Sequence, residues 1–320
     1  MDIIFFGNGA RSLPCLKVIK NSSHTIKAII THPKIESKWF AQLSQIAEIS
    51  NIPLFSPKNP NEKVFENTLK FFHADLFILA GYGKILKNNI IQIPKIMCLN
   101  LHGGKLPKYR GSSPMNWALI NGEDFFTLSI IQLVKLIDGG PVLMEKTFDI
   151  NENTTIVDLH KIANHEFPKM LVHVLENIES DTLKISKQDE KNASYYPIRV
   201  PEDGFILWDV FNAKEIHNRI RALTAPYPCA FSFFQNKKIK FISSELNKKS
   251  FFGEPGRIYK IKDDRFLVST KEGSLWITEA FFDESRLPFL PVGNRYESFS
   301  TIKEIGLNIY KNKNLDENKK

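Results

Sequence analysis

Asp2-Ile-Ile-Phe-Phe-Gly7-Asn-Gly9-Ala-Arg11-Ser12 opens the chain and decides its fold class. A short apolar run closed by glycines reads as a buried strand turning directly into a helix. Outward from it, Arg11 to Ile19 carries helical spacing at Leu13, Leu16 and Ile19, and Thr25 to Ile30 reads as a second strand. Lys38 to Ile49 is an amphipathic helix, Pro53-Leu54-Phe55 a short strand, and Asn61 to Phe72 another helix. Asp75 to Ala80 and Ile96 to Leu101 supply a fourth and a fifth buried strand. Strands alternating with helices of this length predict an α/β domain with parallel pairing and helices on both faces. The opening turn is not a dinucleotide fingerprint. Ser12 stands where a third glycine belongs, and the second strand ends at Thr31-His32 with no acid. A nicotinamide cofactor is therefore not expected. Helix-start amides beside Arg11 leave a phosphate-binding turn and a purely structural turn as alternatives.

Past the fifth strand the pattern changes. Phe125 to Val134 and Pro141 to Phe148 are strand-like runs around Asp138-Gly139-Gly140, and Thr154 to Glu176 reads as one long helix. Residues 1–180 are expected to form one domain. Residues 181–205 are polar and mixed, a linker by composition. A helix over Ala213 to Leu223 ends at Thr-Ala-Pro-Tyr-Pro. Short runs at Ala230–Phe234, Ile239–Ser243, Gly256–Ile261, Phe266–Ser269 and Ser274–Ala280 then predict a small barrel-like β domain over 206–310. Residues 311–320 form a basic tail.

The 320 residues carry a net charge of +8, with much of the excess in Lys237-Lys238, Lys248-Lys249 and the tail. Such runs read first as solvated surface, and second as a face for a phosphate-bearing ligand. No apolar stretch approaches the roughly 20 residues of a membrane span. The start Met-Asp-Ile-Ile-Phe-Phe lacks a basic signal region, so a cytoplasmic location is expected. Cys15, Cys98 and Cys229 are odd in number and show no CxxC spacing. They read as small core residues, with neither a disulfide framework nor a metal site.

The chemistry-bearing segment is Asn100-Leu-His102-Gly-Gly-Lys-Leu-Pro107-Lys-Tyr-Arg-Gly111. Residues two apart on a strand share a face, so Asn100 and His102 point the same way, at the strand end where open α/β sheets place ligands. Gly103-Gly104 lets a ligand approach the backbone. Asp138 either caps a turn or holds a neighbouring imidazole in one tautomer.

Asn100-x-His102, Leu106-Pro107 with Arg110-Gly111, Pro114-x-Asn116-Trp117, Asn121-Gly122 and Asp138-x-Gly140 together resemble the folate-dependent formyltransferase family. Ala80-Gly-Tyr-Gly-Lys-Ile-Leu86 is similar to that family's loop after the fourth strand. Arg199-Val-Pro-Glu-Asp-Gly204, Trp208 and Arg221 through Pro228 resemble its second domain, most closely that of the enzyme acting on a nucleotide-linked 4-amino-arabinose. The resemblance implies a Rossmann-like N-terminal domain, a smaller open, OB-like β-barrel, and 10-formyltetrahydrofolate as donor. It implies that Asn100 stabilises the developing oxyanion, that His102 transfers protons and that Asp138 tunes His102. It implies pterin contacts, largely through backbone, from Lys84, Ile85 and Leu86 and from Val134, Lys135, Leu136, Ile137 and Asp138.

Two positions depart from the family. Gly104-Lys105-Leu106-Pro107 stands where many members have Ser-Leu-Leu-Pro, and Ser112 replaces an arginine of the arabinose enzyme. The expected acceptor is the amine of an amino-deoxy sugar linked to a nucleoside diphosphate, with Arg11, Lys105, Lys108 and Arg110 as candidates for the diphosphate. Initiator methionyl-tRNA is the alternative. The segment Thr31 to Trp39 is short and contains Glu36, where the tRNA enzymes typically carry a longer basic insertion. The charge is diffuse rather than a stripe, so a nucleic-acid partner is not the first expectation. A third alternative is a non-enzymatic RNA-binding module stacking bases on Trp208, Tyr227 and Phe231–Phe234. Family members are often homodimers, which the resemblance carries over as an expectation.

Overall fold

The computed structural model describes residues 1–234, 237–282 and 285–286. The tail 311–320 and the end of the expected 206–310 domain lie outside the described residues. The chain divides into two compact units. The first comprises 1–115, 125–149 and 158–198; the second comprises 116–124, 150–157 and the chain from Arg199 onward.

In chain order the first unit runs β1 (Asp2–Gly7), α1 (Ser12–Lys20), β2 (Thr25–Ile30), α2 (Phe40–Ile49), β3 (Leu54–Phe55), α3 (Lys63–Phe71) and β4 (Leu76–Ala80). It continues through α4 (Asn88–Ile91), β5 (Met97–His102) and β6 (Arg110–Gly111). Past α5 (Pro114–Ile120) come β7 (Phe125–Gln132), β8 (Val142–Asp149), α6 (Ile156–Glu179) and β9 (Tyr195–Tyr196). The main sheet has the order β3-β2-β1-β4-β5-β7-β8. Its first five strands are parallel, and β7 and β8 are antiparallel. Ile3 through Phe6 and Leu76 through Ala80 are buried without alternation. That is the sequence signature of parallel strands covered on both faces. The chain leaves β1 toward β2 and β3, then returns to β4 on the other side of β1. The C-terminal strand ends at this reversal form the crevice where such sheets hold ligands.

Residues 181–205, expected as a linker from their polarity, are not free chain. Through Ile198 they belong to the first unit. Ser186 exchanges both backbone hydrogen bonds with Val142, and β9 pairs in parallel with β6. The backbone of a polar string still needs partners, and here it finds them on β8 and β6.

Among the described residues, the second unit contains α7 (Ala213–Leu223) and six antiparallel strands. These are β10 (Ala230–Phe234), β11 (Lys237–Leu246), β12 (Ile258–Lys262), β13 (Arg265–Ser269), β14 (Ser274–Phe282) and β15 (Ser285–Arg286). Their order is β10-β11-β14-β13-β12, with β15 on β14. Asn212 and Glu215 form a reciprocal capping box that starts α7. Trp208 is fully buried, donates from Nε1 to Ser232 Oγ at 3.1 Å, and meets Phe241 edge-on. Phe231 and Phe234 are buried as well. Trp208, Phe231 and Phe234 thus fill the core and are closed to stacking, while Tyr227 and Phe233 are half-buried. All three cysteines are buried free thiols, and burial pushes that of Cys15 up to about 12. No helix among the described residues is long and apolar enough to cross a membrane.

Candidate active site

β5 lies between β4 and β7, with Asn100 opposite Leu79 and His102 opposite Ser129. This fixes both side chains at the C-terminal strand end. Asp138 enters from the β7–β8 connection in a left-handed conformation, φ +48°, which Asp tolerates better than most residues. The three groups meet. Asn100 Nδ2 donates to Asp138 Oδ1 at 3.4 Å, and Asp138 Oδ2 lies 3.6 Å from His102 Nδ1. The Gly111 amide donates to the same Oδ2 at 2.9 Å. The Asp138 contact, which local sequence left open, is therefore present.

His102 is 5% exposed, and its Nε2 lies 2.8 Å from the Tyr109 carbonyl. A carbonyl only accepts, so Nε2 carries the proton there. Nδ1 is on the side of Asp138. Tyr109 has φ +54° and stacks flat on Tyr196, ring centroids 4.8 Å apart. These two features aim its carbonyl at the imidazole.

Gly104 occupies the position where the resemblance leads one to expect serine. A Cβ there would stand 2.8 Å from His102 Nε2, 2.8 Å from Pro114 Cβ and 2.9 Å from the Tyr109 oxygen. All three are closer than packed atoms allow. The Gly104 carbonyl accepts from Ser129 Oγ at 2.9 Å.

The expected pterin stretches sit after β4 and after β7. The Lys84 ammonium pairs with Glu36 at 3.1 Å and donates to the Lys58 carbonyl at 2.7 Å, which leaves its backbone as the part that could meet a ligand. Asn61 pins the same loop, donating to the Ile85 carbonyl and accepting from the Lys87 amide. Leu86 is buried, Val134 half-buried and Lys135 exposed. The side chains of Ile85, Leu136 and Ile137 are exposed. Exposed apolar side chains in both stretches are what a flat heteroaromatic ring would cover.

The four expected diphosphate contacts fare differently. Arg110 is a correction: it is fully buried and donates to Gln188, Glu190 and Tyr195, so it cannot reach a ligand. Its guanidinium holds the Glu190 carboxyl below the usual carboxylate range. Arg11 is half-buried over the Phe167 ring and donates to the Leu101 carbonyl at 3.4 Å. Lys105 is exposed with its ammonium 4.9 Å from the Phe125 ring centre, and Lys108 is exposed. A hollow at the end of β1 is lined by Asn8, Lys34, Glu36, Lys38 and Trp39 among others, and the Ser37 hydroxyl donates to Asn8. Sequence reasoning missed Tyr109, Gly111 and Gln188 as parts of the site. A buried arginine must find acceptors, so Arg110 was the one signal that could have led to them.

Comparison with known proteins identifies the family. Residues 1–175 match the family described as formyl transferase, and residues 199–287 match the formyl transferase C-terminal domain. The methionyl-tRNA formyltransferase of Acetivibrio thermocellus is 32% identical over 292 residues, 89% of this chain and 93% of that protein. The N-formyltransferase of Helicobacter canadensis, solved with folinic acid and dTDP-3-aminofucose, shares the fold with a TM-score of 0.65 at 20% identity; the match covers 88% of this chain and 99% of that one. HypX of Aquifex aeolicus, solved with tetrahydrofolic acid, has a TM-score of 0.60 at 18% identity over 89% of this chain and 45% of that one. The chain belongs to the formyltransferase family, whose donor is formyl-tetrahydrofolate.

Proposed function

We propose that this enzyme transfers the formyl group of 10-formyltetrahydrofolate to the amine of initiator methionyl-tRNA. The observation that carries the acceptor is the 32% identity to a methionyl-tRNA formyltransferase across nearly the full length of both chains. This turns the order of the two acceptors expected from sequence. The site residues have matching chemistry. As the amine attacks the formyl carbon, the carbonyl oxygen gains charge. Asn100 Nδ2 has two N–H groups; one faces Asp138 and the other is left to donate to that oxygen. His102 takes the proton from the attacking nitrogen and returns it to the departing folate nitrogen. Asp138 stabilises the imidazolium between these steps.

A nucleotide-linked amino sugar is the second reading, favoured by one observation. The segment after β2 is short, a single 3-10 turn over Lys34–Glu36 with α2 already begun at Phe40. The hollow beside it offers an indole with an ammonium 5.5 Å from its ring centre, parts that suit a nucleotide in either acceptor. Both acceptors are assayed with the same formyl donor: initiator methionyl-tRNA against a panel of UDP- and dTDP-linked amino sugars. Turnover on the tRNA is expected; turnover on sugars alone overturns the choice.

A further inference from the structure

Gln188 lies in the polar stretch whose composition suggests nothing but linker. Its amide is used in full. Nε2 donates to the Asp138 carbonyl at 2.7 Å and to the Gly140 carbonyl at 2.6 Å. Oε1 accepts from Arg110 Nε at 3.1 Å and Nη2 at 2.8 Å. The orientation of the amide follows from its partners, since two carbonyls require the nitrogen and a guanidinium requires the oxygen. Arg110 is locked in turn by Glu190, at 2.6 and 2.9 Å, and by the Tyr195 hydroxyl at 2.8 Å. Its own backbone amide donates to the Ser194 carbonyl.

We infer that Gln188 is a positioning residue for formyl transfer, joining the loop that carries Asp138 to the loop that carries Tyr109 and Gly111. The inference rests on the reading of Asn100, His102 and Asp138 as the catalytic groups. Asp138 sits on a β7–β8 connection with a left-handed backbone, and that connection is the only covalent route holding it at the site. Gln188 fixes the carbonyls of Asp138 and Gly140, and so the direction of the carboxylate. Through Arg110 it also fixes the neighbouring Gly111 amide, which donates to that carboxylate, and the Tyr109 carbonyl, which meets His102. Both acceptors around the imidazole are thus referred to one side chain.

Gln188→Glu separates the two halves of this link. The carboxylate still accepts from Arg110, but both donors are gone and an oxygen faces two carbonyls. The folded variant is expected to lose turnover by about 10–100-fold, since a displacement of about 1 Å at a catalytic group costs on that order. The limb of its pH–rate profile that belongs to the His102–Asp138 pair should shift as well. A merely structural role would lower melting temperature without moving that profile. Gln188→Met, neutral and of similar length, is measured in parallel. Wild-type kcat and pH profile in folded Gln188→Glu, or failure of both variants to fold, overturns the positioning role. Asp138→Asn and His102→Ala are run beside them. If those two turn over like wild type, the catalytic reading falls; if they lose turnover and Gln188→Glu does not, only the role of Gln188 falls.

Discussion

Gly104 shows how closely one residue is fitted to its neighbours. The serine that the resemblance leads one to expect at this position would put its Cβ inside packing distance of His102, Pro114 and the Tyr109 carbonyl. Two of those three are parts of the proposed proton-transfer machinery. Gly104→Ser, although a change toward the family pattern, is therefore expected to lower kcat by at least about tenfold, because the imidazole or its carbonyl partner must shift. Steady-state kinetics at saturating donor check this, and an unchanged kcat would show that the loop relaxes without cost. Asn100→Ala removes the single side-chain donor proposed for the oxyanion and should cost about 10²–10³ in kcat with the fold intact. At this scale the sequence was informative in proportion to locality. Asn100 and His102 are two apart on one strand, so strand geometry alone puts them on one face. Asp138 lies on a different connection, and only family resemblance could bring it to them. The Tyr109 carbonyl is a backbone atom with no residue-type signature at all.

At the scale of elements, the apolar runs of β1, β4 and β5 declared themselves because burial on both faces leaves no polar alternation to confuse. β6 and β9 are two residues each and sit in polar surroundings, so no periodicity marks them. Their pairing is nevertheless what ties the 188–196 stretch to the loop that carries Tyr109 and Gly111. The same limit applies to α6. Its helical period is plain from sequence, yet nothing in the period says that His160 is desolvated beside Arg11, which lowers its pKa to about 4. The ordinary histidine value is about 6.5. Between those two values the unfolded chain binds a proton there that the folded chain does not, so stability falls as pH drops from about 6.5 to about 4. Glu166 on the same helix, held at about 2 by hydrogen bonds from Lys146 and Lys169, acts lower. Its contribution is complete above the ordinary carboxylate value and is lost as pH falls toward 2. His160→Gln should lessen the loss of stability between pH 6.5 and 4, to which His24, His32 and His217, also lowered by burial, contribute as well, while leaving the loss below pH 4 in place. Urea midpoints measured across that range test it; an unchanged slope between pH 6.5 and 4 would mean that His160 is not among the groups responsible.

For the whole molecule, the open question of acceptor becomes a question about charge. A net charge of +8 on 320 residues is modest, and much of it lies in short lysine runs rather than one stripe. A tRNA acceptor nevertheless presents many phosphates, and every phosphate neutralised by a lysine or arginine releases counterions. For about four such contacts the affinity should fall by about 100-fold between 50 and 200 mM salt. A nucleoside diphosphate sugar offers two phosphates at most, and the same change should weaken it by less than about tenfold. The formyl-transfer step proposed for Asn100, His102 and Asp138 lies among half-buried and buried groups, where mobile ions screen little compared with an exposed face. The prediction for the tRNA reading is therefore a KM for acceptor that rises steeply with salt while kcat and the donor KM stay nearly level. Potassium chloride is varied, with the acceptor KM and kcat measured at saturating formyl donor and the donor KM at saturating acceptor. A shallow dependence of the acceptor KM would remove the extended phosphate contact that a tRNA acceptor requires, and would place the acceptor among small nucleotides.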